Sequence, residues 1–456
     1  MANRGQTCKL ANHNYEWETM NNSLKRYKRL TGITLLTLPL LIASNLSAAE
    51  ESVEDRIKKL ESMVSELKQL VKTQKSQHEK QMAKQTAKKE VAASSSTPKH
   101  SYKFGGFIKA TGTISDYSHG DLGAGSWVRD FYIPSVTPVG GTGGGNEMDF
   151  SAKESRINFK TKHLLDNGET ISTNIEMDFL ASANDGNERV SNSFHPRLRH
   201  AYFTYGKWLF GQTWSTFQDV GALPEAADFL GASEGIVFNR QPIARYTNGP
   251  WQFSIENPET TVTPNGGGGR IVTDDNGVPD FVGRYNHKAK WGHISAAALV
   301  RQLAYEAGAI DSTESALGLS LTGKVKVGNK DDIRFNFATG SGMGRYVGLN
   351  ASNGAVLNSS GDLKAIDSTL GSVAYRHVWG DGWRSSLILS AINIDNDTAL
   401  TGTGAIKTIN SVQANLLYSP VPKVTFGVGL LNASKELENG DDGDLTRLIF
   451  TGKYAF

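Results

Sequence analysis

From Tyr102 to Phe456 the residues alternate with a period of two in sixteen successive runs, and the connections between them alternate between short and long. The expected strands are 103–117, 147–163, 168–180, 197–205, 207–214, 241–247, 251–257, 280–288, 291–301, 314–325, 331–340, 365–378, 383–393, 406–419, 422–433 and 443–456. Tight turns fall at 165–167, Gly206, 248–250, 289–290, 328–330, 380–382 and 420–422. Between them lie polar, glycine-rich stretches near 118–146, 181–195, 215–240, 258–279, 302–313, 341–364, 394–405 and 434–442. An even number of strands with tight turns on one rim and long loops on the other is what an outer-membrane barrel requires, whereas a soluble sandwich has no reason to alternate.

Other features agree with an all-β, 16-stranded antiparallel transmembrane barrel. Ile171, Thr173, Ile175, Met177 and Phe179 alternate with Ser172, Asn174, Glu176 and Asp178, an apolar-out, polar-in strand, and Val424, Phe426, Val428 and Leu430 give a second outward stripe. The last run puts Leu448, Phe450, Gly452, Tyr454 and Phe456 on one face. At 456 residues the length would also accommodate two or three soluble domains, but 48 glycines, only 13 prolines and a mean hydropathy of −0.36 fit a chain in which alternate residues alone need be apolar.

The N-terminal part is organised differently. Residues 1–49 are expected to be a signal peptide, with Lys25, Arg26, Lys28 and Arg29 ahead of an apolar core at 30–43 and Ser47-Ala48-Ala49 as the cleavage site; Met20 is a candidate for the true start. Cleavage would remove the sole cysteine, Cys8, and change the formal charge from +2 to about −2, a balance that points to no nucleic-acid partner. In residues 50–90, Val53, Ile57, Leu60, Val64, Leu67 and Val71 form a heptad seam that weakens after Val71; a helix with one apolar stripe predicts a coiled coil, hence an oligomer. Residues 91–101 read as a linker and 102–456 as the barrel.

Arg156, Arg197, Arg199, Arg245, Arg284, Arg334, Arg376, Arg384 and Arg447 all fall within the expected strands. Each would cost roughly 2–4 kcal/mol facing lipid near the bilayer midplane. Nine outward would exceed the roughly 5–15 kcal/mol by which proteins are stable, so most must face the lumen or sit at a rim. There they either pair with Glu154, Glu176 and Asp178 or, outnumbering them, leave a net positive wall. A positive passage favours small anions, above all those with two carboxylates, because guanidinium groups bind carboxylates in bidentate fashion. Arg156, Arg197, Arg199, Arg245, Arg284, Arg334, Arg376 and Lys109 are the candidate pore-lining residues. Connections as long as Ser215–Asn239 are usually functional. This one is expected to fold into the channel, its Glu225, Asp228 and Glu234 facing the basic wall.

No catalytic or metal motif appears, neither HExxH, CxxC, GxSxG nor a phosphate loop, so neither an enzyme nor a cofactor is expected. His195 and His200 lie five residues apart on an extended chain and would not face one another.

The segments KESRINFKT (153–161), IEMDFL (175–180), RLRHAYFTYGKWLFGQTWSTF (197–217), LPEAADFLG (223–231) and RQPIARYT (240–247) resemble the DcaP-like outer-membrane porins, as does a heptad helix ahead of a barrel. The resemblance implies homotrimeric sixteen-stranded channels in the outer membrane with a periplasmic coiled coil, admitting dicarboxylates and other small anions. It also implies that Arg197, Arg199 and Arg245 line the lumen and that 215–239 constricts it. The alternative is a poorly conducting barrel with a structural or binding role, tethered to peptidoglycan by the coil, whose Lys58, Lys59, Lys68, Lys72 and Lys75 give it a basic face.

Overall fold

The computed structural model describes residues 53–93, 99–181 and 189–456, so the expected signal peptide with Cys8 and the centre of the linker lie outside the described residues. The chain divides between residues 96 and 97 into two units, a helix and a barrel.

Helix α1 (Val53–Ala93) runs for 41 residues without a glycine or proline, with Glu54 and Asp55 at its positive N-terminal end. It continues well past the point where the apolar seam weakens, because the Lys, Gln, Glu and Ala that follow are strong helix formers. Ile57, Leu60, Val64, Leu67 and Val71 are each 47–60% exposed. No helix among the described residues is long and apolar enough to cross a membrane, which leaves open a crossing by strands.

The barrel opens with β1 (His100–Tyr117), β2 (Asn146–Ser151), β3 (Arg156–Leu164), β4 (Thr170–Asp178), β5 (Arg197–Tyr205), β6 (Trp208–Trp214), β7 (Arg240–Asn248) and β8 (Trp251–Glu256). The long loop after β8 carries β9 (Thr260–Thr263) and β10 (Ile271–Thr273). The wall resumes with β11 (Asp280–Ala289), β12 (Gly292–Ala307), β13 (Ile310–Val327) and β14 (Asp331–Ser341). After β15 (Ala355–Leu357) and β16 (Leu363–Ala365) it finishes with β17 (Asp367–Gly380), β18 (Trp383–Asp395), β19 (Ile406–Tyr418), β20 (Val424–Leu437) and β21 (Asp442–Ala455). Each wall strand pairs antiparallel with its neighbours, and β21 returns to β1 from Phe107↔Ala455 to Tyr117↔Leu445, closing the sheet. Because β2 and β3 lie end to end against β1, the seventeen segments make sixteen barrel strands.

Alternation sets inside from outside. On β13, Leu317, Leu319 and Leu321 are 45–50% exposed on the outer face, while Ala316, Ser320 and Thr322 between them are buried. Two devices adjust the alternation. The wall strand expected at 147–163 breaks at 152–155, where Lys153, Glu154 and Ser155 are all buried on the inside. On β5 the register shifts opposite Glu176 and Met177, a bulge at Arg199 that brings Arg197, Arg199 and also His200 to the inner face. Gln212 on β6 donates its side-chain amide to the Leu198 carbonyl (3.1 Å), beside the bulge.

The alternation of short and long connections is less strict than the sequence predicts. Residues 302–313 form no loop: β12 and β13 pair through to Ala307↔Ile310 and turn at Gly308 and Ala309. Glu306, Asp311, Ser312, Thr313 and Glu314 make this end of the hairpin polar on both faces, so the hydrophobic period vanishes while the strands continue. The stretch 434–442 is likewise strand closed by a tight turn, with Leu437 N–H donating to the Asp441 carbonyl (2.9 Å). Two stretches expected to be plain loops, 258–279 and 341–364, instead supply a four-stranded sheet in the order β10-β9-β15-β16. Val262, Ala355, Leu357 and Leu363 of that sheet pack on Leu303 of β12 and Ala316 of β13.

Candidate functional site

Segment 215–239 lies against inward-facing side chains of strands around the barrel. Its two ends are tied together, Ser215 N–H donating to the Asn239 carbonyl (3.0 Å). Arg245 holds that base in place: its guanidinium donates to Thr216 Oγ1 (2.7 Å) and to the Trp214 carbonyl. Asp219 then caps a short 3-10 turn through Gly221 N–H (3.0 Å). The same carboxylate lies within 2.8–3.1 Å of His293, Arg284 and Thr322 on β11–β13. Burial raises the Asp219 carboxyl, but Arg284 and His293 more than offset this and hold it below the usual carboxylate range.

Farther along, Arg334 donates to the Leu223 carbonyl (2.6 Å). Glu225 accepts from Arg384 (2.8 Å) and Arg376 (3.4 Å). Lys109 of β1, paired with Glu154 at 2.6 Å, donates to the Asp228 carbonyl (3.1 Å). The return leg packs against β17–β19: Gly235 N–H donates to Ser390 Oγ (2.9 Å). A Cβ at Gly235 would collide with the Gly371 carbonyl oxygen and that hydroxyl, so only glycine permits this approach.

The acidic residues of the segment therefore differ. Glu225 faces two guanidinium groups. Asp228 lies near Lys109, yet its carboxyl is raised by burial and by Glu154 against the pull of Lys109. Glu234 corrects the expectation: it faces serines, not a basic wall. Its Oε1 accepts from Ser411, its Oε2 has no hydrogen-bond partner among the described residues, and burial pushes the carboxyl up to about 7.

The cations form several clusters and no single ring. One contains Arg156, Arg197 and Arg199 together with Arg240, which the sequence reading passed over because it sits at the loop boundary. Asp178 receives a bidentate contact from Arg197 (2.9 Å for each bond) and a third bond from Arg199 (2.6 Å). Glu176 accepts from Arg199 (2.8 Å) and lies 3.5 Å from Arg156. The guanidinium groups of Arg240 and Arg199 lie over the Trp214 ring at 4.8 and 5.7 Å. Four guanidinium groups thus share two carboxylates, and the buried Arg156 Nε and Arg240 Nη1 have no hydrogen-bond partner among the described residues. Accessibility sorts this cluster: the side chains of Arg197 and Arg156 are 25% and 21% exposed, that of Arg199 only 2%. Arg199 is a buried brace; its neighbours can reach solvent.

The other candidates are more fully paired. Arg334 and Arg376 both bind Asp332, at 2.7 and 2.8 Å, and Arg284 binds Asp219. Arg301 and Arg345, also passed over, converge on Asp280 at 3.3 Å each, where Tyr346 donates at 2.9 Å and ties down the 341–366 loop. Nor is the interior uniformly polar. Phe131 and Ile133 from the first long loop join Leu180, Leu230, Ala232 and Ile236 in a buried apolar cluster. That first loop turns inward because Arg129 and Lys153 bind Asp149 and Asp130 at 2.8 and 2.6 Å. Between the tip of 215–239 and the wall lies a cavity of ≈ 270 Å³ lined by Lys109, Arg156, Arg384 and Lys453 and by Glu154 and Glu225. A second, of ≈ 630 Å³, lies among the long loops beside Arg270, Asn353 and Asn396.

Comparison with known proteins bears on this arrangement. The model of a family described as DcaP outer membrane protein matches residues 50–456. Among solved structures, the chain is similar to the outer membrane channel DcaP of Acinetobacter baumannii, at 21% identity and a TM-score of 0.66, over 79% of this chain and 99% of that one. It is also similar to in-vitro folded OmpT of Vibrio cholerae (11% identity, TM-score 0.48, 79% and 99% covered). A third likeness is to an anion-selective porin from Comamonas acidovorans (9%, 0.47, 78% and 100%). No curated protein matches the chain.

Proposed function

Since the chain belongs to the DcaP outer membrane protein family, we propose that its barrel spans the outer membrane as a porin and passes small anions, dicarboxylates foremost, by diffusion. The carrying observation is the cluster at Trp214, four guanidinium groups around two carboxylates with the Arg197 and Arg156 side chains partly exposed. A solute carboxylate would approach the exposed edges of Arg197 and Arg156, whose side chains are 25% and 21% exposed, and a charge-assisted bond is worth about twice a neutral one. Arg197, Arg156 and Arg240 are the groups offered to the solute. Arg199 holds them in place, Arg245 and Arg284 hold the base of the constricting segment, and Arg376 and Arg384 hold its tip through Glu225. A dicarboxylate fits better than a monoanion because the excess of two positive charges is matched by one molecule.

The exposed stripe of α1 is the basis for the assembly: Ile57, Leu60, Val64, Leu67 and Val71 lie open to water in the single chain, and a parallel coiled coil of three chains in the periplasm would cover them. The outward apolar bands of the barrel would meet lipid and neighbouring barrels.

Reversal potentials in a salt gradient test the selectivity. An anion-selective channel whose conductance falls in the presence of a dicarboxylate is expected; a cation-selective or silent barrel would defeat the proposal. The second reading, a poorly conducting barrel tethered to peptidoglycan, draws support from the buried apolar cluster of the interior. Under that reading, deleting 50–90 would harm envelope integrity and leave solute uptake unchanged.

A further inference from the structure

Outside the barrel interior, two histidines meet at the rim of short turns. His100 opens β1 and His163 lies next to the end of β3, directly opposite it in the antiparallel register. Their rings stand 4.8 Å apart at 62°, and the two Nδ1 atoms are 2.6 Å from one another. The other histidines with a recorded side-chain partner each use an oxygen: His200 with Thr213, His293 with Asp219, His377 with Asp331 and His119 with Ser118. This pair instead sets one ring nitrogen against another.

The backbone beneath is braced. Leu164 N–H donates to the Lys99 carbonyl (2.8 Å), and Lys99 Nζ pairs with Asp166 in the following turn at 2.9 Å. Tyr102 packs edge-on against His163 at 5.8 Å and stacks on Phe159. The Nδ1 atoms can approach this closely when uncharged only if one carries a proton and the other a lone pair. Both nitrogens therefore point at one position, and a cation can take the proton's place.

We propose that His100 and His163 form a two-nitrogen chelate for a late first-row divalent cation, Cu²⁺ or Ni²⁺ ahead of Zn²⁺. Metal–imidazole bonds of about 2.0–2.1 Å place two such nitrogens about 2.9 Å apart in a square-planar site and about 3.3 Å apart in a tetrahedral one. The rings need open by well under 1 Å, which a rim position allows because His100 is exposed and His163 only half-buried. Square-planar geometry asks for the smaller movement and favours Cu²⁺ and Ni²⁺. On binding, the ring that donated moves its proton from Nδ1 to Nε2 through water, so both lone pairs face the metal and no net proton is released. No group of three or more His, Cys, Asp or Glu among the described residues is arranged to hold a metal, so water fills the remaining positions. The occupied site would clasp the start of β1 to the β3–β4 hairpin.

The test uses the full-length protein in detergent micelles, stripped with a chelator and titrated with Cu²⁺, followed by electron paramagnetic resonance and calorimetry. One ion per chain is expected at this site, with hyperfine coupling to two imidazole nitrogens. Affinity should fall about 100-fold in His163→Gln and in His100→Gln, the effect of losing one arm of a bidentate ligand, and stay unchanged in His287→Gln. Heat-modifiable gel migration checks that each variant forms its barrel. A two-nitrogen spectrum persisting in His163→Gln, or wild-type binding no tighter than that of His163→Gln, would overturn the proposal.

Discussion

Glu234 offers the sharpest handle on how segment 215–239 is seated. Its carboxyl is fully buried, is bonded to Ser411 through one oxygen, leaves the other unpartnered and has Asp228 near enough to add repulsion. Burial raises it from 4.5 to about 7. An acid whose folded value lies above its unfolded value binds more protons in the folded state. Its contribution is therefore complete below about pH 4.5 and is lost as pH rises through about 7. At about 1.4 kcal/mol per pH unit, the loss approaches about 3 kcal/mol, or on the order of 100-fold in the opening equilibrium of the segment. Hydrogen exchange of residues 232–238, corrected for intrinsic rates, should show protection falling by about that factor between pH 5 and pH 8. Glu234→Gln keeps the shape and an acceptor for Ser411 but cannot ionise, so its protection should be flat over the same range. If the wild-type segment were equally protected at both pH values, or if Glu234→Gln declined in parallel, the seating would not depend on this proton.

Four further outcomes follow from the geometry. Arg199→Ala removes the buried guanidinium that joins Asp178 to Glu176, leaving Asp178 with Arg197 and Glu176 with Arg156, and should destabilise the barrel by about 1.5–3 kcal/mol, read as a lower temperature of heat-modifiable migration. Arg240→Ala, whose guanidinium has no carboxylate bond to lose, should leave that temperature unchanged while the anion-to-cation permeability ratio falls several-fold in reversal-potential measurements. Gly235→Val drives a side chain into the Gly371 carbonyl and Ser390 and should unseat the return leg, seen as new proteolytic cleavage within 226–238. Gln212→Leu removes the donor to the exposed Leu198 carbonyl beside the β5 bulge and should cost about 0.5–1.5 kcal/mol in urea unfolding.

The order of strands, their number and the sides on which residues fall were legible in the sequence, because burial on one face of a pleated strand writes itself as alternation. The inward placement of Arg199, Arg284, Arg334 and Arg376 followed from the same rule plus the cost of a charge in lipid. Where both faces are polar, as in 302–313, alternation carries no signal and strand reads as loop. Which arginine is a brace and which is open to solvent was not legible either. It depends on partners far away in sequence: Arg376 meets Glu225 across 151 residues and Arg384 across 159. Arg199 is sealed by a bulge that no local pattern announces, and Arg240 joins its cluster only once β7 is laid beside β6. Glu234 was misjudged for a related reason. An acid on a long loop was expected to face cations, yet its environment is set by the strands the loop lands on, and β18 and β19 present serines there. Pattern within a strand is a local consequence of burial and survives in the sequence; the pairing of charges across a lumen is decided only when the sheet closes and the loops fold into it.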